Sequence, residues 1–191
     1  NNAVIGENAF SNAHSLETVT LGENVEVGKM AFYNNSSLKN IDLSKVKSVG
    51  DYAFSGDSYM ICVDENMQIG AVSTEGNYMY TYHGPKLESV NLAVAESIGE
   101  YAFVYCHELT TVTLNEKITE IPQYAFADCK KLTTIDLSHV TTIGDYAFSE
   151  CKSLNNVILP VAEEIGEGAF IYNTAMTDLM LNPEGCTVGN N

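Results

Sequence analysis

Apolar and polar positions follow one another in a fixed frame that ends in an Ala-Phe pair, as in Ile143-Gly144-Asp145-Tyr146-Ala147-Phe148. The other six copies of this frame are Ile5–Phe10, Val27–Phe32, Val49–Phe54, Ile98–Phe103, Ile121–Phe126 and Ile165–Phe170. Each copy contains one of the seven phenylalanines of the chain, and successive phenylalanines lie 22, 22, 49, 23, 22 and 22 residues apart. Such a period predicts a solenoid in which every repeat forms one coil stacked on its neighbours.

A second pattern, Leu-x-x-Val-x-Leu, follows each copy of the Ala-Phe frame. It occurs with variations at Leu16–Leu21, Leu38–Leu43, Leu87–Leu92, Leu109–Leu114, Leu132–Leu137, Leu154–Leu159 and Met176–Leu181. Its last four positions alternate with period two, which predicts a short strand. The glycine of the frame indicates a turn, and apolar residues three apart in Tyr-Ala-Phe-x-x-Cys-x-x-Leu predict short helical turns. The expected fold is an α/β leucine-rich-repeat solenoid, with a parallel sheet on one face and helical turns on the other.

The long step of 49 residues separates Phe54 from Phe103 and leaves an irregular segment at about residues 55–86. One interpretation is an inserted β-hairpin, since Tyr59–Val63 and Tyr78–Tyr82 have strand-like composition. The other is a degenerate eighth repeat with an extra loop, in which Met60, Val63 and Ile69-Gly70 keep the register. We favour the degenerate repeat, while treating residues 1–191 as a single leucine-rich-repeat domain in either case.

Net charge restricts the partners of the chain. The 191 residues carry a formal charge of −16, with nine basic residues, all of them lysine. This disfavours nucleic acid, which needs a basic footprint, and also docking to anionic membranes. No apolar run is long enough for a membrane helix, so direct membrane insertion is not expected.

Both ends of the chain interrupt a repeat. The first residues, Asn1 to Val4, lack the basic start and apolar core of a signal peptide, and Val188-Gly189 resembles the start of a further coil. We therefore expect a fragment of a longer protein, with a truncated repeat at each end and any targeting sequence outside it. Unpaired strand edges and apolar side chains such as Leu21 and Leu181 would then favour weak self-association through the ends.

The combination of Leu-x-x-Val-x-Leu with Ile-Gly-x-x-Ala-Phe-x-x-Cys resembles the BspA-type leucine-rich repeats over roughly residues 3–189, apart from the irregular segment. This family occurs mainly in surface and secreted proteins of gut and oral bacteria and of some mucosal protozoa. The resemblance implies a parallel-sheet solenoid, an extracellular or bacterial cell-surface location, and adhesion or binding of host proteins. It supplies no catalytic residue and no binding motif.

Cysteine and histidine offer little chemistry. Cys106, Cys129 and Cys151 each follow their phenylalanine by three residues, so the solenoid should stack them in one column, and we expect buried free thiols that act as small apolar side chains. Cys62 and Cys186 have no partner in that column. His14, His83, His107 and His139 lie at different places in the repeat, without metal-ligand spacing. We expect no catalytic residue, cofactor or metal site, and Glu163-Glu164 is interpreted as a solvated pair.

Two surface columns remain as binding candidates. The outward positions of the strands are Thr18, Asn40, Ser89, Thr111, Thr134, Asn156 and Asp178 in one column and Thr20, Asp42, Asn91, Thr113, Asp136, Ile158 and Met180 in the other. We select the C-terminal half as the candidate partner-binding strand face, because Ile158 and Met180 make it apolar there: Thr111, Thr113, Thr134, Asp136, Asn156, Ile158, Asp178 and Met180. The tyrosines two residues before their phenylalanine, Tyr52, Tyr101, Tyr124 and Tyr146, form a third column, which should pack half-buried on the helical side.

Together with what the family resemblance implies, these observations predict a non-catalytic binding or adhesion module of a bacterial surface or secreted protein that recognises a protein, such as a host extracellular protein. Two other functions stay open: a structural spacer that presents another domain, and an accessory region of an enzyme whose catalytic part lies outside this chain.

Overall fold

The computed structural model describes residues 3–62 and 78–189, which form a parallel β-solenoid of about seven turns. The described residues contain seventeen short strands: β1 Val4–Ile5, β2 Thr18–Val19, β3 Val25–Val27, β4 Asn40–Ile41, β5 Val46–Val49, β6 Asp57–Cys62, β7 Tyr78–His83, β8 Ser89–Leu92, β9 Ser97–Ile98, β10 Thr111–Leu114, β11 Glu120–Ile121, β12 Thr134–Ile135, β13 Thr142–Ile143, β14 Asn156–Leu159, β15 Glu164–Ile165, β16 Asp178–Leu181 and β17 Thr187–Val188.

Each regular coil contains two strands, and both pair in parallel with the equivalent strands of adjacent coils. The Leu-x-x-Val-x-Leu strands form the ladders β2–β4, β8–β10–β12 and β14–β16. The strands that lead into the Ala-Phe frame form the ladders β1–β3–β5–β9 and β11–β13–β15–β17. The parallel sheet predicted from the alternating pattern is confirmed, and a second parallel ladder accompanies it.

The Ala-Phe frame itself is an arc of turns, and no helix occurs in the described residues. In the coil of Phe103, the N–H groups of Tyr101, Phe103 and Tyr105 donate to carbonyl oxygens of the next coil at 3.0, 2.9 and 3.1 Å. The intervening N–H groups of Val104 and Cys106 donate to the residue three positions earlier. An α-helix needs every N–H to reach four residues back. The helical turns predicted on this face therefore do not form, because alternate donors are used to join the coils.

Left-handed backbone recurs at two positions of most arcs. The residues two before each phenylalanine all have φ between 53° and 57°, and most of those two after it have φ between 55° and 63°. Asparagine and glycine tolerate this region best, as at Asn8, Asn12 and Gly168. Tyrosine occupies it at Tyr52, Tyr101, Tyr124 and Tyr146, where the backbone is strained.

The core is a column of stacked phenylalanine rings with leucine, valine, isoleucine and alanine around it. Successive rings from Phe10 to Phe170 lie 5.3–5.6 Å apart with interplanar angles of 2–12°. Phe126 is fully buried, whereas Phe10 in the first coil is 47% exposed. Leu21 and Leu181, expected to be exposed at the ends, instead pack partly buried against the core. The exposed apolar residues of the terminal coils are Val4, Phe10, Leu179, Met180 and Val188.

The irregular segment is an antiparallel hairpin in its described part. Strands β6 and β7 pair from Asp57↔His83 to Cys62↔Tyr78. The flanking coils contact each other directly, since Ser48 pairs with Ser97 and the rings of Phe54 and Phe103 stack at 5.5 Å. The degenerate repeat that we favoured therefore does not describe the paired residues, which match the hairpin interpretation. Val63 and Ile69-Gly70 lie outside the described residues.

Candidate binding surface

The strand face contains all eight candidate residues, and every one of them is exposed. Hydrogen-bonded pairing aligns Thr111 with both Ser89 and Thr134, and Thr113 with Asn91. Asn156 aligns with Asp178, and Ile158 with Met180. The structure thus aligns seven of the eight candidates by strand pairing, in two sets separated between β12 and β14, and Asp136 follows directly after β12.

Part of the polarity of this face has a local structural role. The Asp136 carboxylate accepts a hydrogen bond from the backbone N–H of Ser138 at 3.0 Å, and Asp42 and Asn91 make the same turn-closing contact with Ser44 and Ala93. Hydrogen bonding to Ser138 lowers the pKa of Asp136 below its usual value. Aspartate and asparagine are thus selected in this column to end the strand, besides any contact with a partner.

The apolar end of the strand face is formed by Ile158 and Met180. Their exposed fractions are 42% and 58%, although they lie directly opposite each other on paired strands. A shallow hollow beside Ile158 is also lined by Thr134, Asp136, Ser138 and Asn156. The face therefore offers an apolar contact next to an accepting carboxylate.

The cysteine column is buried, and its thiols are free, as predicted. Each thiol also donates to the carbonyl oxygen of the phenylalanine one coil earlier: Cys106 to Phe54 at 3.5 Å, Cys129 to Phe103 at 3.4 Å and Cys151 to Phe126 at 3.1 Å. The Asn35 amide occupies the same column and donates to the Phe10 carbonyl at 3.0 Å. The column is thus a donor position rather than only a small apolar one.

The tyrosine column lies on the arc of turns and is half-buried, in agreement with its predicted packing. Rings of Tyr52, Tyr101, Tyr124 and Tyr146 stack face to face at 4.5, 4.7 and 5.0 Å. The Tyr146 hydroxyl donates to the Glu167 carboxylate at 2.7 Å, and this contact raises the pKa of Tyr146 to about 12. Stacking of this kind stabilises the fold by about 0.5–1.5 kcal/mol per pair, in addition to the contribution of the buried ring surface. This stabilisation offsets the backbone strain at the tyrosines.

A hollow at the base of the hairpin was not found by sequence reasoning. Five tyrosines, Tyr33, Tyr52, Tyr101, Tyr105 and Tyr124, line it together with Asp57. Tyr33 and Tyr105 lie at different places in the repeat from the tyrosine column, so their juxtaposition depends on the coil geometry. The position of the insertion was the one indication of this hollow in the sequence, because the hairpin starts directly after Ser55-Gly56 at the edge of the hollow.

The Asp128 carboxylate has two basic neighbours. His107 contacts the Asp128 carboxylate at 3.0 Å, and Lys130 lies 3.4 Å from the same carboxylate. Within residues 3–62 and 78–189, no group of three histidine, cysteine or acidic side chains is arranged to hold a metal ion. No helix in those ranges has the length and apolar character needed to cross a bilayer.

The solved structures similar to this chain include three leucine-rich proteins. A leucine-rich repeat protein of T. pallidum matches with a TM-score of 0.53 and 24% identity, over 90% of this chain and 77% of that one. A leucine-rich repeat protein of Bacteroides ovatus gives 0.49 and 22%, over 98% and 55% of the two chains. A leucine rich cell surface protein of Faecalibacterium prausnitzii gives 0.48 and 20%, over 92% and 62%. The chain therefore spans little more than half of the last two proteins.

A comparison with curated proteins found no match. By contrast, the sequence model of the family described as BspA type leucine rich repeat region matches residues 1–72 and 73–191, with six copies in total. The family resemblance drawn from the repeat is confirmed, and the chain belongs to the BspA-type leucine-rich repeat family.

Proposed function

We propose that this chain is a non-catalytic binding module of a bacterial surface or secreted protein, and that it recognises a protein ligand through the strand face. The main observation in support is the exposed pair Ile158 and Met180, on a face whose other side chains are short and polar. Solenoids use such continuous sheet surfaces to bind extended partners. Membership of the family supports a repeat module, and the extracellular location is part of the proposal.

The charge of the strand face defines the partner further. Asp136 and Asp178 lie beside the apolar pair, and none of the eight candidate residues is a cation. A neutral or basic segment could place an apolar side chain against Ile158 and a donor toward Asp136. An apolar anchor surrounded by polar contacts is the usual anatomy of a binding hot spot.

The test is binding to a panel of purified extracellular host proteins, with the doubly substituted variant Ile158→Ser/Met180→Ser. We expect at least about a tenfold loss of affinity, since truncation of a hot-spot residue costs more than about 1 kcal/mol. Val94→Ser/Val161→Ser is the matched control, because both valines are exposed apolar residues that lie outside the strand-face columns.

Two outcomes would contradict the proposal. Full retention of affinity by Ile158→Ser/Met180→Ser would place the binding surface elsewhere. No binding by the wild-type chain to any protein of the panel would favour the structural spacer.

A further inference from the structure

Within the tyrosine column, the rings of Tyr52 and Tyr101 are the closest pair. Their centroids lie 4.5 Å apart and their planes differ by 5°. The next two steps of the column are 4.7 and 5.0 Å, with interplanar angles of 14° and 12°. Successive phenylalanine rings of the core, by comparison, are separated by at least 5.3 Å. The first tyrosine pair is therefore both the tightest and the most nearly parallel of its column.

The hydroxyl groups of this pair lie next to each other. Burial raises the pKa of Tyr101, and a hydrogen bond between the Tyr101 and Tyr52 hydroxyl groups contributes to the increase. Two parallel rings whose hydroxyl groups are hydrogen-bonded are stacked in the same orientation, so their ortho carbons, the Cε atoms, lie side by side. Tyr146 differs, because its hydroxyl donates to the Glu167 carboxylate at 2.7 Å.

Stacked phenols with adjacent ortho carbons are suited to oxidative coupling. A one-electron oxidant removes one electron from each phenol, each phenol releases its proton, and the two phenoxyl radicals join through their Cε atoms. Each joined carbon then loses its hydrogen as a proton while the phenol oxygen is protonated again. The pair thus gives up two electrons and two protons in total. Hydrogen peroxide, acting through a haem peroxidase, takes up both and is reduced to two molecules of water.

The position of the pair in the solenoid gives such a bond a mechanical role. Tyr52 and Tyr101 are 49 residues apart in the chain, whereas the later neighbours in the column are 23 and 22 residues apart. One of the two parallel ladders is also interrupted between their coils, because β4 and β8 belong to separate ladders. On the other ladder, β5 and β9 pair over only two residues each. A covalent link here would close a long loop, where the loss of chain entropy in the unfolded state is largest.

We propose that Tyr52 and Tyr101 are a site of oxidative modification, at which a dityrosine bond joins two adjacent coils. The reaction uses an external one-electron oxidant of the peroxidase class. Both rings are half-buried, so part of each is open to solvent and the released protons pass to water. The site is independent of the strand face and of any ligand that binds there.

The test is oxidation of the dilute chain by a haem peroxidase with limiting hydrogen peroxide, followed by isolation of the monomer by size exclusion. Dityrosine fluorescence reports the bond, and mass spectrometry of peptides locates it. Cleavage after aspartate and glutamate isolates Tyr52 in peptide 52–57 and places Tyr101 in peptide 101–108. We expect these two peptides to be linked, with a mass two hydrogen atoms below their sum and with the bond at Tyr101.

Tyr101→Phe should abolish this link, because phenylalanine keeps the stacked ring but cannot form a phenoxyl radical. Tyr52→Phe removes the other partner and should have the same effect, with the fold of both variants checked by circular dichroism. Tyr172→Phe is the matched control, since Tyr172 is 64% exposed and lies outside the column, and it should leave the link unchanged. The linked monomer should unfold at a higher denaturant concentration than the untreated protein.

Four outcomes would overturn the proposal. The first is the absence of linked peptides from the oxidised wild-type monomer, and the second is their persistence in Tyr101→Phe. An equal loss in Tyr172→Phe would show that exposure rather than stacking selects the reacting tyrosines. An equal yield of the link from protein oxidised in denaturant would show that the folded arrangement of the two rings is not required.

Discussion

The Cys129 thiol donates a hydrogen bond to the carbonyl oxygen of Phe103, 26 residues earlier and one coil away, at 3.4 Å. Cys106 and Cys151 make the same contact with Phe54 and Phe126, and Asn35 does so through its amide. Cysteine and asparagine share little except a short side chain that can donate. At Asn35 and at the three cysteines, this short donor satisfies a carbonyl group inside the core.

The three column thiols should be unreactive in the native protein. Burial raises the pKa values of Cys106 and Cys129, and raises that of Cys151 to about 12, so little thiolate forms at neutral pH. In a Cys62→Ser/Cys186→Ser variant, we expect a thiol reagent to label these three residues only after unfolding. Mass spectrometry of native and denatured samples measures this. Rapid labelling of the native protein, or a disulfide within the column, would contradict the assignment.

The phenylalanine stack should stabilise the molecule most strongly in its middle. Phe126→Ala removes a fully buried ring that stacks on both Phe103 and Phe148, and we expect a loss of about 3–5 kcal/mol in the free energy of unfolding. Phe10→Ala is the control, because Phe10 is about half exposed and should cost far less. Denaturant titrations of both variants provide the comparison. Equal losses would argue against a continuous cooperative stack.

Glycine at the start of the arc should be required by the preceding coil. A Cβ atom at Gly144 would lie 2.6 Å from the backbone nitrogen of Gln123, whereas one at Gly6 would have no neighbour within 4 Å. We expect Gly144→Ala to destabilise the protein by about 1–3 kcal/mol, as overpacking does, and Gly6→Ala to have little effect. Thermal unfolding of both variants tests this. A neutral Gly144→Ala variant would mean that the coils can separate without cost.

The strands and the length of the repeat were predictable from the sequence, because both depend on contacts between equivalent positions of successive coils. The alternation of Leu-x-x-Val-x-Leu requires only that one side of a strand is buried, and the structure confirms it. The arc of turns was not predictable in the same way, since apolar residues three apart suit a helix as well as a turn. What decides between them is the pairing of the Phe103 N–H with Ala125 on the next coil. The tyrosine hollow was also hidden, because Tyr33, Asp57 and Tyr105 belong to three separate segments.

Alkaline pH should destabilise the folded state through its tyrosines. The pKa values of Tyr33 and Tyr146 are raised to about 12, against about 10 in an unfolded chain. Because the folded pKa values are the higher ones, their stabilising effect is complete below about pH 10 and is lost as the pH rises through about 12. We expect unfolding in this interval to coincide with a rise in tyrosinate absorbance.

Tyr146→Phe cannot form a phenolate beside Glu167, so its loss of stability across this interval should be smaller than in the wild type. Circular dichroism recorded during the same titration separates unfolding from simple ionisation. An identical alkaline transition in both proteins would show that the Tyr146 contact does not couple to folding.

The hairpin between Phe54 and Phe103 leaves the ring stack unchanged, since their separation of 5.5 Å falls within the range of all other steps. Gly56 and Gly84 allow this close crossing, because a Cβ atom at Gly56 would lie 2.6 Å from the Cα atom of Gly84. The chain can therefore leave the scaffold and rejoin it at one corner without a change of register. Protein engineers could use this corner as a grafting point, where foreign loops replace the hairpin while the coils on either side continue to stack.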